Sequence, residues 1–97
     1  MIPVKRVEIV VVAPLAGRVT TIFARHGLKG WTMVPNVRGQ GEHGIQRGDD
    51  LTGVSSNHLL VTTCKEEQLE ALVADLRPLL ARSGGACLVS DASWVEH

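Results

Sequence analysis

The residues best equipped to do chemistry lie between Arg38 and Gly53, a mostly polar stretch that holds five of the chain's ten glycines. Glycine lets a backbone approach a ligand closely and adopt positive φ. Arg38 and Arg47 add fixed positive charge and planar forks of donors. Amides beside Gly39, Gln40 and Gly41 can converge on anion oxygens as a nest. Closure over an anion is the chemistry that suits this set. A solvated hairpin tip would share the composition, and spacing alone does not separate the two. Loops of this length are usually functional or disordered. Little else in the chain is reactive. His26, His43, His58 and His97 lack metal-ligand spacing, and Cys64 and Cys87 stand alone, as packed thiols do. No base–nucleophile pair is evident. The sequence therefore reads as a binder, with no catalytic residue, catalytic cofactor or metal.

Bulk properties narrow the class. Ninety-seven residues make one domain, spanning 1–97, and 44% hydrophobic content supports a modest core. Ten basic and ten acidic side chains balance to zero, which argues against a nucleic-acid binder. There is no apolar run of membrane-spanning length, and the first residues lack a signal peptide's order of charge then apolar core. A cytoplasmic protein without membrane insertion is expected.

The elements that must position the arginines and glycines follow from periodicity. Val4 to Ala13 predicts a strand, with Val7, Ile9 and Val11 on one face and Arg6, Glu8, Val10 and Val12 on the other. Pro14 opens a helix whose apolar stripe is Leu15, Val19, Ile22 and Phe23, and Gly27 caps it. Leu28 to Val37 predicts a second strand and Asn57 to Cys64 a third. Lys65 to Ser83 predicts a second helix, with Glu66 and Glu67 early and Arg82 late, as the helix dipole favours. Pro78 inside that pattern predicts a kink or an early end. Gly84-Gly85 is a turn, and Ala86 to Ser90 a fourth strand.

The order β-α-β-β-α-β predicts an α+β, ferredoxin-like fold. Right-handed crossovers put both helices on one face of an antiparallel sheet. The other face, with Val10 and Val12, is left uncovered, and self-association would bury it. This fold serves many functions. Aromatic residues are only 3% of the chain, too few for an RNA-stacking sheet. The first loop, Ala13-Pro14-Leu15-Ala16-Gly17, has no metal-chaperone CxxC. Arg18 and Asn57 could be cast as an acylphosphatase pair, but Pro14 leaves that loop few N–H groups to cradle a phosphate.

At Gly30-Trp-Thr-Met-Val-Pro-Asn-Val-Arg-Gly-Gln-Gly41 the chain resembles the PII signal-transduction family, in which a Gly-x-Thr-Val strand runs into a Gly-x-Gly. The resemblance extends over element order, the long loop between strands two and three, and the glycine turn before strand four. Gly44 to Gly53 and the ending Val89-Ser-Asp-Ala-Ser-Trp-Val95 are most similar to the carboxysome-associated PII-like branch. The resemblance implies a non-enzymatic homotrimer of inorganic-carbon metabolism. It implies ADP or AMP in the clefts between subunits, bicarbonate as a second ligand, and a T-loop that carries the signal to a protein target. There are departures. The chain has no tyrosine, Ala86 stands where classical members have lysine, and Glu96 and His97 stand where they have arginines. Those groups grip outer phosphates, so AMP or ADP is expected over ATP.

On that resemblance, the nucleotide would contact Gly30, Trp31, Thr32, Gly39, Gly41, Gly84, Gly85 and Ala86. Arg38 and Arg47, with Gly39, Gln40 and Gly41, would hold phosphate or bicarbonate, which matches a guanidinium fork as a carboxylate does. The segment Arg38 to Gly53 is expected to be disordered alone and ordered by both ligands, which would make them cooperative. Trp31 could instead serve packing, and Thr32 could be a strand residue only. An ACT-like regulatory module and a CutA-like trimer share the fold and remain alternatives.

Overall fold

The computed structural model describes residues 1–39 and 56–97. A four-stranded sheet has the spatial order β2-β3-β1-β4, where β1 is Ile2–Val12, β2 is Trp31–Val37, β3 is Asn57–Cys64 and β4 is Ala86–Trp94. All three pairings are antiparallel. Two helices, α1 at Ala16–Arg25 and α2 at Glu66–Ser83, cover one face. This is the expected βαββαβ arrangement.

Period-two alternation in β1 sorts the sheet's faces. Val7, Ile9 and Val11 are fully buried and meet Val19, Ile22 and Phe23 of α1 and Leu72 and Leu76 of α2. Their cross-strand partners Thr62, Leu60 and His58 share that side. Residues between them, Arg6, Glu8, Val10 and Val12, point to the face without helices, with Thr63, Val61, Leu59 and Asn57 beside them.

Local chemistry sets the helix ends. Pro14 sits in a single 3-10 turn, Ala13–Leu15, and the α-helix starts one residue later, at Ala16. At the far end, Gly27 has φ +76°, its N–H donates to the Ala24 carbonyl, and the Leu28 N–H donates to the Phe23 carbonyl. That is a Schellman cap, and it turns Leu28 into the core. Leu28 is thus part of the cap, and β2 begins at Trp31, three residues after the expected start. Lys65 caps α2, its N–H donating to Gln68 Oε1 at 2.8 Å.

The second helix keeps its expected end at Ser83; of the kink or early end expected at Pro78, the early end does not occur, because both flanks are packed: Leu76 is fully buried, and Leu79 and Leu80 lie against the core. One other expectation needs correction. The fourth strand does not stop at Ser90. It continues to Trp94, where it pairs with Ile2, because β1 begins at Ile2 and its first residues need a ladder partner.

Candidate functional site

At the second strand, Gly30 leads into β2, and its carbonyl accepts a hydrogen bond from Thr62 Oγ1 at 2.7 Å. Trp31 follows on the helix side of this edge strand, opposite Thr62, and remains 44% exposed. Thr32 points the other way, opposite Val61, onto the uncovered face. Pro35 and Asn36 then break the ladder. The register slips between Val34 and Val37, and Asn36 takes φ +58° with its N–H toward His58 Nδ1 at 3.3 Å. Proline is tolerated here because β2 is an edge strand and the site a bulge. The bulge re-aims the chain just before Arg38 and Gly39, both exposed. Sequence reasoning missed it, although Pro followed by Asn inside a strand pattern is its signal. Gln40, Gly41 and Arg47 lie outside the described residues.

The second glycine cluster lies on the other edge. Gly84 ends α2 in the left-handed region, at φ +74°, and donates to the Leu80 carbonyl. A Cβ on Gly85 would stand 2.6 Å from the Val10 carbonyl oxygen and 3.0 Å from a Leu80 methyl. Only glycine fits there. Ala86 then starts β4, paired with Val10.

Val34, Leu59, Val10 and Ala86 form one cross-strand row on the uncovered face. The two glycine clusters therefore sit on opposite edges: the ends of this row, Val34 and Ala86, are three strand spacings or about 14 Å apart, and Gly30 lies four residues further back from Val34 along the chain. One chain does not bring Gly30–Thr32 and Gly84–Ala86 together. The exit of β2 and the turn before β4 nevertheless lie at the same end of the sheet, since Val37 is level with Asn57 and Val12, two residues beyond Val10.

The uncovered face is apolar at both ends and charged in the middle. Ile2, Val4, Val10, Val12, Val34, Leu59, Val61, Leu88 and Trp94 lie on it by register. Leu88 is 63% exposed and Trp94 54%. Between them, Arg6 Nε and a Glu8 carboxylate oxygen are 3.3 Å apart.

Arg18 and Asn57 are not assembled into an acylphosphatase-like pair. Arg18 stands on α1 above one face, and Asn57 is on the other. Among the described residues no group of three or more His, Cys, Asp or Glu could hold a metal, and no helix is long and apolar enough to cross a membrane. Burial raises both thiol pKa values above the ordinary one.

Solved structures share this geometry. CPII from Thiomonas intermedia K12, described as a nitrogen regulatory PII-like protein bound to ADP, AMP and bicarbonate, superposes with a TM-score of 0.82 at 24% identity, over 98% of this chain and 96% of its own. A CPII structure bound to ADP and bicarbonate, from the same organism, is 26% identical, with a TM-score of 0.82 over 97% and 90%. A protein from Thermus thermophilus proposed as PII-like and signalling is 26% identical, with a TM-score of 0.75 over 97% and 90%. No curated protein matches the chain. Residues 4–96 match the family model for nitrogen regulatory protein P-II, and this chain belongs to the P-II family.

Proposed function

We propose that this protein is a non-enzymatic regulator that binds ADP or AMP together with bicarbonate in clefts between the subunits of a homotrimer. One observation carries the reading. The exit of β2, which leads to Gly39, and the Gly84-Gly85 turn before β4 lie at one end of the sheet on opposite edges, about 14 Å apart across the sheet at the level of Val34 and Ala86. A site built from both needs one copy's β2 edge beside the next copy's β4 edge. Burial of the apolar uncovered face would supply that arrangement. In it, Gly30, Trp31 and Thr32 of one subunit face Gly84, Gly85 and Ala86 of the next across the adenine. Amides at Gly39 and Gly41 take the phosphates. Arg38 and Arg47, with Gln40, hold phosphate or bicarbonate. The ligands bound by CPII, which is 26% identical over 97% of this chain, support the choice.

The segment between β2 and β3 is then the T-loop, a switch that orders when both ligands bind and presents itself to a protein target. The setting would be cytoplasmic inorganic-carbon metabolism, in association with carboxysomes. The whole chain, 1–97, acts as one PII-like domain.

The test is an ADP titration with and without bicarbonate, read by calorimetry and Trp31 fluorescence on a Trp94→Phe background. Bicarbonate should tighten ADP binding by about fivefold or more, the low end of allosteric coupling. Arg47→Ala should reduce that coupling. Amides 39–48 should exchange more slowly with both ligands than with neither. An unchanged Trp31 signal with no heat at millimolar ADP would overturn the nucleotide reading. Equal exchange under all conditions would remove the switch.

A further inference from the structure

Outside the sheet, α1 and α2 leave a groove of about 520 Å³ between them, in the size range of small-molecule sites. Its apolar lining is Leu15, Ile22, Pro78 and Leu79. Its charges are unevenly spread. At one end Arg25 lies 3.7 Å from Asp75, and Asp75 also takes a 2.6 Å hydrogen bond from His26 Nε2. That end is internally matched. Seven residues away along each antiparallel helix, about 10 Å, Arg18 and Arg82 line the other end. Among the described residues neither has a carboxylate within 4.0 Å. Gly17 also lines the groove, and a Cβ added there would meet nothing within 4 Å. The space over α1's first turn is open although no close approach demands a glycine.

We propose that this groove is a ligand site, separate from the inter-subunit cleft, for a small amphiphile carrying one carboxylate or phosphate on an apolar body. The guanidinium forks of Arg18 and Arg82 grip the anionic head, since arginine matches both groups with paired N–H donors. The body lies along Leu15, Ile22 and Leu79 toward the neutralised end. Arg25 is already paired with Asp75 there, so a second negative charge gains no partner and a ligand with anions at both ends is disfavoured. The site lies on the helix layer, away from the uncovered sheet face, and stays accessible if that face is buried between copies.

Octanoate and octyl phosphate are suitable probes, with octanol as the neutral control. In a titration of ¹⁵N-labelled protein, octanoate should shift amides of residues 15–25 and 75–82 and spare β1 and β4. Octanol should bind at least tenfold more weakly. Arg18→Gln with Arg82→Gln should weaken octanoate at least tenfold. Gly17→Met should block the groove from within while the spectrum elsewhere remains that of the folded protein. Saturating ADP should not displace octanoate, whereas failure of ADP to bind at all would count against the cleft reading alone. Shifts confined to the sheet face, or binding indifferent to Gly17→Met and to the arginine changes, would overturn the proposal. So would co-sedimentation with phosphatidylglycerol vesicles without any shift from soluble octanoate, which would assign the arginines to a membrane surface.

Discussion

At the scale of single residues, two glycines with opposite environments make opposite predictions. Gly85 abuts backbone, and a Cβ placed on it would stand 2.6 Å from the Val10 carbonyl oxygen. Gly85→Ala should destabilise the fold by about 1–3 kcal/mol, as overpacking does. Gly17 meets nothing and has ordinary helical φ, so Gly17→Ala should stabilise by about 0.5–1 kcal/mol. Urea unfolding of the two variants in parallel measures both. Charge at the expected outer-phosphate positions leads to a third expectation. Ala86, Glu96 and His97 stand there, and the Glu96 carboxylate already lies 3.6 Å from the Met1 amino group. ADP or AMP should bind more tightly than ATP. A calorimetric series with ATP tenfold tighter, about 1.4 kcal/mol, would mean another basic group serves the third phosphate.

At the scale of elements, the helix layer is joined by polar contacts at one end. Gln68 Oε1 caps the first turn of α2, and its Nε2 donates to the His26 carbonyl at 3.2 Å. One face of α2 therefore holds the C-terminal end of α1 twice, at Gln68 and, seven residues on, at Asp75. Asp75→Asn or Gln68→Ala should each cost about 0.5–1.5 kcal/mol, the usual worth of a hydrogen bond. Thermal unfolding near neutral pH is the check. Strand β1 presents a pH-dependent counterpart. Its Lys5 Nζ lies 2.5 Å from Asp91 on β4, and that hydrogen bond and charge raise the Lys5 pKa. The Cys64 and Cys87 pKa values are raised by burial. All three groups hold their protons more tightly when folded. Their contribution is complete below the ordinary thiol value of 9.0 and is lost as pH rises above it. Stability should therefore fall between neutral and strongly alkaline pH. A midpoint that is level or rising above pH 9 would contradict this.

At the scale of the whole molecule, the uncovered sheet face makes the strongest demand. Burying a single Leu or Val side chain is worth about 1.5–3 kcal/mol. Leu88, 63% exposed, stands beside Glu8 on β1, and Trp94 stands beside Ile2. Light scattering should give three times the 10.4 kDa chain mass at micromolar concentration. Leu88→Asp should convert it to single chains and weaken nucleotide binding with it, because the proposed cleft is built from two copies. Trimers surviving that change, or a wild-type monomer, would remove the assembly from the reading. The two tryptophans separate the events. Trp94 lies on the uncovered face and should report assembly, while Trp31, on the helix side of the β2 edge, should report the cleft.

How much of this was legible in the sequence divides along a physical line. Period and punctuation are local properties, and they carried the elements: the Val19–Ile22–Phe23 stripe, the Gly27 cap, the Gly84-Gly85 turn and the alternation in β1. Handedness of crossovers then put both helices on one face and left Val10 and Val12 uncovered. Interactions between residues distant in sequence were not legible. The polar run Ser90 to Ser93 has no strand signal of its own. It extends because β1 offers it unpaired amides across the ladder. Trp31 faces the helix side only because the register pairs it with Thr62. Arg18 and Arg82 are 64 positions apart in the chain, and each reads alone as a surface charge. They share one groove because two antiparallel helices pack at a particular phase. Sequence by itself determined which segments are helix and strand, because backbone preference and amphipathic period act within a few residues. Tertiary structure alone decided which side chains share a row, a face or a groove, because that depends on how the segments pair.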